Sequence, residues 1–136
     1  MNTITVFLAH NRYMDDARIN VLCSAVEKSQ STPTLKVSCV SGRDDFRDRF
    51  STAGSWEAWS CDVATGIDVN TRQSRYAAIL VPELLTVGQA TAKLVELALA
   101  AKKPVFFTKD GVTLQQVDRM DWINESWQEA AVLGFS

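Results

Sequence analysis

The sequence predicts an α/β protein in which a parallel sheet of four or five strands lies between layers of helices. Residues 75–108 give the strongest indication, because two apolar stretches, 77–81 and 104–108, flank an alanine-rich helix. The first stretch does not alternate between apolar and polar residues, so both of its faces must be covered, as in parallel sheets. The length of 136 residues suits one domain, and we expect residues 1–136 to form a single unit.

The N-terminal part of the chain contains two predicted strands and a helix. Residues 3–9 are strand-like, and Asp15 or Asp16 can cap the helix that follows. A second strand is predicted at 35–40, ended by Ser41-Gly42. The helix between them has apolar residues at i, i+3, i+4 and i+7, namely Ile19, Leu22, Cys23 and Val26.

The middle of the chain is more polar. Residues 43–50, RDDFRDRF, alternate acids and bases, which indicates a solvated loop or a helical turn. Ser55 caps a predicted helix that ends at Thr65-Gly66. Trp56 and Trp59 share one face of it, where they either stack on a base or pack the helix against the sheet.

The C-terminal part is less regular. After the fourth strand, Lys109-Asp110-Gly111 indicates a turn, and residues 114–117 fit either a helical turn or a short strand. The alternation of strands and helices predicts a flavodoxin-like or Rossmann-like three-layer sandwich. Its strand order is then 2-1-3-4, with or without a fifth strand at the edge.

Composition excludes several classes of function. The formal net charge is −2 without a long basic stretch, so bulk nucleic-acid binding is not expected. No run approaches the roughly 20 apolar residues of a membrane span, and no signal peptide is indicated. Cys23, Cys39 and Cys61 are widely spaced, which favours packing residues in a reducing compartment. We therefore expect a cytoplasmic protein with no membrane partner, no metal and no cofactor.

The predicted topology gathers polar residues at the carboxyl edge of the sheet, where folds of this type bind ligands. These are His10 and Asn11 after the first strand, Arg43, Asp44 and Asp45 after the second, Glu83, Gly88, Gln89 and Thr91 after the third, and Thr108, Lys109 and Asp110 after the fourth. His10 is either a general acid or base, or a residue at a surface or helix start. Gly88 lets the backbone approach a ligand, and the amides after it can accept a phosphate or carboxylate.

Three stretches together carry a family resemblance. They are FLAHN at the end of the first strand, WSCDVATGI around Asp62, and VGQATAKLVELALAAKKPV at 87–105. They resemble the nucleoside 2-deoxyribosyltransferase-like group of Rossmann-type proteins, whose signature is an (S)GTAxE loop, an alanine-rich helix and GKPV. SLOG-type and TIR domains share parts of this pattern. The resemblance implies a nucleoside or nucleotide ligand and chemistry at an N-glycosidic bond.

One departure from that signature divides the functional hypotheses. The family's nucleophilic glutamate corresponds to Leu94, which cannot form a glycosyl ester, and Glu96 lies about 200° further around the helix. One hypothesis is a hydrolase in which Asp62, Asp44 or Glu83 activates water. The second is a non-catalytic binder or sensor of a nucleotide-derived ligand, and the third is a structural or protein-interaction module.

The alanine-rich helix also has a second apolar side. Val95 and Leu99 lie nearly opposite the side that is expected to face the sheet. A helix that is apolar on two sides is either buried twice or part of an interface. We expect a homo-oligomer, with Val95 and Leu99 facing a second subunit. The sheet-facing residues are then Ala90, Leu94, Leu97 and Ala101.

Overall fold

The computed structural model describes residues 2–11, 13–82 and 89–118, without the side chains of Gln89 and Ala90. The elements in these ranges, in chain order, are β1 (Asn2–Leu8), α1 (Asp16–Gln30), β2 (Leu35–Ser41), α2 (Gly42–Ala53), α3 (Trp56–Thr65), β3 (Ala78–Val81), α4 (Gln89–Ala100), β4 (Val105–Phe107) and β5 (Gln115–Gln116). The predicted α/β class is confirmed. In the described part of the chain, no helix is both long enough and apolar enough to cross a membrane.

The five described strands form one sheet in the order β2-β1-β3-β4-β5. The first four are parallel, as predicted, and the order of these four is confirmed. The fifth strand corrects the expectation of a wholly parallel sheet, because β5 pairs antiparallel with β4. The physical reason is the short connection 108–114, since a parallel return needs about a dozen residues or more. The sheet is therefore mixed.

The register of the sheet brings the carboxyl ends of β1, β2 and β3 to the same height. Leu8 pairs with Ser41 of β2 and with Leu80 of β3. Consequently His10 and the first residues of α2 leave the sheet at the same edge. This edge is where ligands bind in open α/β sheets.

The apolar core consists of two clusters that share the strands between them. Successive residues of a strand point to opposite faces, and accordingly Phe7 belongs to one cluster while Val6 and Leu8 belong to the other. Helix α1 supplies the second cluster through Ile19, Leu22 and Val26, which confirms its predicted periodicity. Helices α3 and α4 supply the first cluster, through Trp59, Val63, Ala64, Leu94, Val95 and Ala98.

Helix α4 contradicts the predicted subunit interface. Val95 is fully buried, with 0% of its surface exposed, in the same cluster as Leu94 and Ala98. Leu99 is partly buried and packs against that cluster as well. The physical reason is that α4 contacts α3 in addition to β4, so its second apolar side is covered within the chain. Val95 is therefore unavailable to a partner, whereas the predicted burial of Leu94 is confirmed at 4% exposure.

The polar passage 43–50 is part of a three-turn helix, α2, and not a solvated loop. The Ser41 side chain accepts a hydrogen bond from the Asp44 amide (3.1 Å) and caps its start, and Gly54 ends it at φ 87°. Phe46 and Phe50, at i and i+4, pack against the first cluster. Two aromatic anchors thus hold a helix whose other side chains are mostly charged.

Candidate functional site

The start of α2 lies against the end of β1. A Cβ added to Gly42 would lie 3.3 Å from the ring of Phe7 and 3.4 Å from the carbonyl oxygen of Leu8. Such a distance is tighter than an ordinary contact, so glycine permits this close approach. The approach places the first amides of α2 beside the loop that follows β1.

His10 joins these two segments through both of its ring nitrogens. Nε2 accepts a hydrogen bond from the Arg43 amide (3.2 Å), and Nδ1 lies 2.8 Å from the carbonyl oxygen of Asn11. A neutral ring protonated on Nδ1 satisfies both contacts. Burial lowers the pKa of His10, and the positive charge of Arg43 acts in the same direction. These contacts fit a residue at a helix start, and ligand contact by His10 stays a prediction.

A pocket of about 240 Å³ opens beside this junction, between the first turns of α1 and α2. We call it the α1–α2 pocket. Its lining residues are Asp16, Ile19, Asn20, Ser41, Arg43, Asp44 and Arg47. Two predicted site residues, Arg43 and Asp44, therefore lie in one pocket, and the backbone of Arg43 contacts His10.

The α1–α2 pocket contains two guanidinium groups and two carboxylates. Arg43 donates to the carboxylate of Asp16 and, at 2.9 Å, to the carbonyl oxygen of Met14. Arg47 lies 3.3 Å from the carboxylate of Asp44. These side chains retain much of their solvent exposure, so the pocket presents charges of both signs to water.

Asp62, the carboxylate predicted from its sequence context, is held by two arginines. Its carboxylate accepts hydrogen bonds from Arg49 and, at 3.1 Å, from Nε of Arg75. Arg75 precedes β3 by three residues, so this ion pair lies where β3 begins. A Cβ on Gly66 would collide with the side chain and carbonyl oxygen of Asp62, which explains the glycine there. The catalytic role of Asp62 stays a prediction.

Asp45, which the sequence placed with Arg43 and Asp44 after the second strand, is a buried carboxylate beneath α2. Asp45 is only 4% exposed, and it accepts hydrogen bonds from Nε and Nη2 of Arg49 at 2.8 and 3.0 Å. It also accepts from Nε1 of Trp59 at 2.8 Å and from the Tyr76 hydroxyl. Burial raises the pKa of Asp45, but the hydrogen bonds from Arg49, Tyr76 and Trp59 outweigh it and hold the pKa below its ordinary value.

The Asp45 contacts decide the role of the tryptophans. Trp59 is buried and donates to Asp45, so it packs α3 and does not present its face to a base. Trp56 is 50% exposed and lies on the outside of an aromatic group, with its ring centroid 5.1 Å from that of Phe46. The i,i+4 spacing of Asp45 and Arg49 was the available sequence signal for this cluster.

The remaining predicted site residues either do not line the α1–α2 pocket or lie outside the residues that the structure describes. Glu83 and Gly88 lie outside the described residues, as does the side chain of Gln89, which begins α4. Thr91 is partly buried in the first turn of α4. Thr108 is buried and accepts a hydrogen bond from the Gly111 amide (2.9 Å), so it stabilises the turn after β4.

No group of three or more histidine, cysteine, aspartate or glutamate side chains in the described ranges could hold a metal ion. Comparison with protein-family models, with curated proteins and with solved structures gave no match to this chain.

Proposed function

We propose that the protein binds a nucleoside, a nucleotide or a derivative of one in the α1–α2 pocket. The observation that carries this proposal is the meeting of two guanidinium groups and two carboxylates at the carboxyl edge of the sheet. Arg43 and Arg47 suit a phosphate, because guanidinium groups offer paired N–H donors. Asp16 and Asp44 suit sugar hydroxyls, because ionised carboxylates are acceptors of hydrogen bonds.

The pocket arginines can turn to a ligand at low energetic cost. Their ion pairs with Asp16, Asp44 and Asp48 involve side chains that are between 37% and 78% exposed. Ion pairs of this kind contribute about 0–1 kcal/mol, so a phosphate that replaces the carboxylate partner meets little opposition. Arg49 differs, because it holds the buried Asp45 and is only 24% exposed.

The size of the pocket indicates which part of the ligand it holds. Sites that enclose a drug-sized ligand usually have volumes of about 300–1,000 Å³. The α1–α2 pocket, at about 240 Å³, is slightly smaller. We therefore expect the sugar–phosphate part inside it and the base outside.

Between binder and transferase, the binder hypothesis has the better support. Leu94, at the position of the family's nucleophile, is buried in the core. Asp62 is occupied by two arginines, Arg49 and Arg75. Leu94 has no nucleophilic group, and the Asp62 carboxylate is engaged by two guanidinium groups, which together support the binder.

Calorimetric titration with inorganic phosphate, a nucleoside and its 5′-monophosphate tests the proposal. We expect the monophosphate to bind more tightly than the nucleoside. Arg47→Ala should weaken monophosphate binding by about tenfold or more, because it removes a charged hydrogen bond. Lys93→Ala is the matched control, since it removes one exposed positive charge from α4. Absence of binding by every compound at millimolar concentration would reject the proposal, as would equal losses in the two variants.

A second candidate function is hydrolysis of the N-glycosidic bond. It is favoured by one observation, the position of the Asp44 carboxylate in the α1–α2 pocket, where it can activate water. The same titration samples, analysed by chromatography for free base, separate the two candidates. Base release that is lost in Asp44→Asn would replace the binder proposal with a hydrolase.

We also propose a finer fold class and a cellular location for the protein. The division of α1 from α3 and α4 between two apolar clusters supports a flavodoxin-like three-layer sandwich. Cys23, Cys39 and Cys61 are all free thiols, which suits a reducing compartment such as the cytoplasm. Fluorescence imaging of the tagged chain, expressed in the cells that produce it, would test the location, and we expect the signal in the cytoplasm.

A further inference from the structure

Two of the three cysteines form a close pair that the sequence spacing did not reveal. The thiol of Cys39, in β2, donates to the sulfur of Cys23, in α1, at a distance of 3.3 Å. Both residues are only partly buried, and β2 is an edge strand of the sheet. A disulfide bond is about 2.05 Å long, so a shift of about 1.3 Å would bring the two sulfurs to bonding distance.

The surroundings of this pair hold the two elements in place. Glu27 follows Cys23 by one helical turn, and its carboxylate accepts a hydrogen bond from the Cys39 amide (3.0 Å). Helix α1 is thus fixed to β2 at the level of the thiols. The hydrogen bond from Cys39 lowers the pKa of Cys23, while the same bond and burial raise the pKa of Cys39. Cys23 is accordingly the better nucleophile of the two.

The pair links α1 to β2, and both of these elements also supply lining residues of the α1–α2 pocket. Cys23 lies one turn after Ile19, and Cys39 lies two residues before Ser41, so each thiol lies on an element that forms a wall of the pocket. A covalent bond between the thiols would therefore tie these walls together.

We propose that Cys23 and Cys39 are a dithiol site that a low-molecular-weight disulfide oxidises reversibly to an intramolecular disulfide bond. The Cys23 thiolate attacks one sulfur of the small disulfide, forms a mixed disulfide and releases the first thiolate. Cys39 then attacks the Cys23 sulfur and releases the second thiolate, while the two cysteine protons pass to the released thiolates. Two cysteine thiols are oxidised, and one small disulfide is reduced to two thiols.

The test uses the full-length Cys61→Ser variant, which leaves this pair as the chain's remaining cysteines. The reduced protein is incubated with glutathione disulfide, unfolded in the presence of N-ethylmaleimide and weighed by mass spectrometry. We expect a monomer that has lost two hydrogens and carries no maleimide and no glutathione. Two maleimide groups, a retained glutathione or a disulfide-linked dimer would each overturn the proposal.

Two single-thiol variants test the order of the steps. On the Cys61→Ser background, Cys39→Ser should form a stable mixed disulfide with glutathione, and Cys23→Ser should react at least about tenfold more slowly. Equal rates would refute Cys23 as the attacking thiol.

The effect of the disulfide on the wall of the α1–α2 pocket can be measured without any ligand. Oxidation should raise the Tm of Cys61→Ser by about 10 °C, because it closes a short loop in the unfolded chain. It should also slow hydrogen exchange in the amides of α1. Unchanged exchange in α1, in a sample whose mass shows the disulfide, would refute the effect on the pocket wall.

Discussion

Asp45→Asn is the most informative single substitution for the packing of α2. Asp45 is buried, and each of its oxygens accepts two hydrogen bonds. One oxygen receives Arg49 Nε and the Tyr76 hydroxyl, and the other receives Arg49 Nη2 and Trp59 Nε1. An asparagine keeps one oxygen, so in either orientation its NH₂ group faces two donors. One of these donors always belongs to Arg49.

The size of the loss can be worked from these contacts. A buried donor left without an acceptor costs about 1–3 kcal/mol, and two donors are affected. Breaking a buried ion pair by removing one partner costs about 3–5 kcal/mol. Arg49 retains Asp62 and is 24% exposed, which places the expected loss at the lower end. We therefore expect the free energy of unfolding to fall by about 3 kcal/mol.

Urea denaturation followed by tryptophan fluorescence measures this loss. Asp48→Asn is the matched control, because Asp48 lies on the same helix, is 63% exposed and contacts Arg47 alone among the ion pairs of the described residues. The control should change the free energy of unfolding by less than about 1 kcal/mol. Equal effects of the two substitutions, or a loss below about 1 kcal/mol in Asp45→Asn, would refute the argument.

The stabilisation that Asp45 provides should depend on pH in a direction that follows from its pKa. The pKa of Asp45 is lower in the folded protein than in the unfolded chain, so its contribution is present above the unfolded pKa of about 3.9. The contribution is lost as the pH falls through the folded pKa. The stability gap between the wild-type protein and Asp45→Asn should therefore be constant near neutral pH and shrink in acid. A gap that widens in acid would contradict the assigned direction.

Three further substitutions test the packing and the backbone. Leu94→Ala should lower the free energy of unfolding, measured by urea denaturation, by about 2–5 kcal/mol, because Leu94 is a buried core residue. A loss below about 1 kcal/mol would contradict its burial. Lys102→Gly should raise the Tm by a few degrees in calorimetry, because Lys102 has φ 61° at the end of α4. A lower Tm in Lys102→Gly would show that the backbone at Lys102 is not strained. Gly66→Ala should lower the Tm, since a Cβ collides with Asp62, and an unchanged Tm would refute this.

Sequence patterns predicted the parts of the fold that depend on the arrangement of apolar residues within one element. The non-alternating run at β3 and the periodicity of α1 each identify a buried surface without knowledge of the neighbours. Helix α2 was not predicted in full, because its alternating charges concealed the Phe46 and Phe50 pair. The partner of Val95 could not be predicted either, because helical periodicity identifies an apolar side but not the helix that covers it.

The candidate site was predicted in part for the same reason. Arg43 and Asp44 follow β2 directly, so the strand order alone places them at the carboxyl edge with His10. Asp62 and Asp45 depend on how α2 and α3 pack together, and this determines which carboxylate meets Arg49. The Cys23 and Cys39 pair likewise depends on the contact of α1 with β2, since the two residues belong to different elements and are 16 positions apart in the chain.

The most direct test of the central claim is the location of the ligand on the protein. Titration of the isotope-labelled chain with a nucleoside 5′-monophosphate, followed by amide chemical shifts, measures it. The α1–α2 pocket predicts that the largest shift changes fall in residues 16–20 and 41–47, with smaller changes in Arg47→Ala at equal ligand concentration. Largest changes in α3 and α4, or no change at millimolar ligand, would contradict the account.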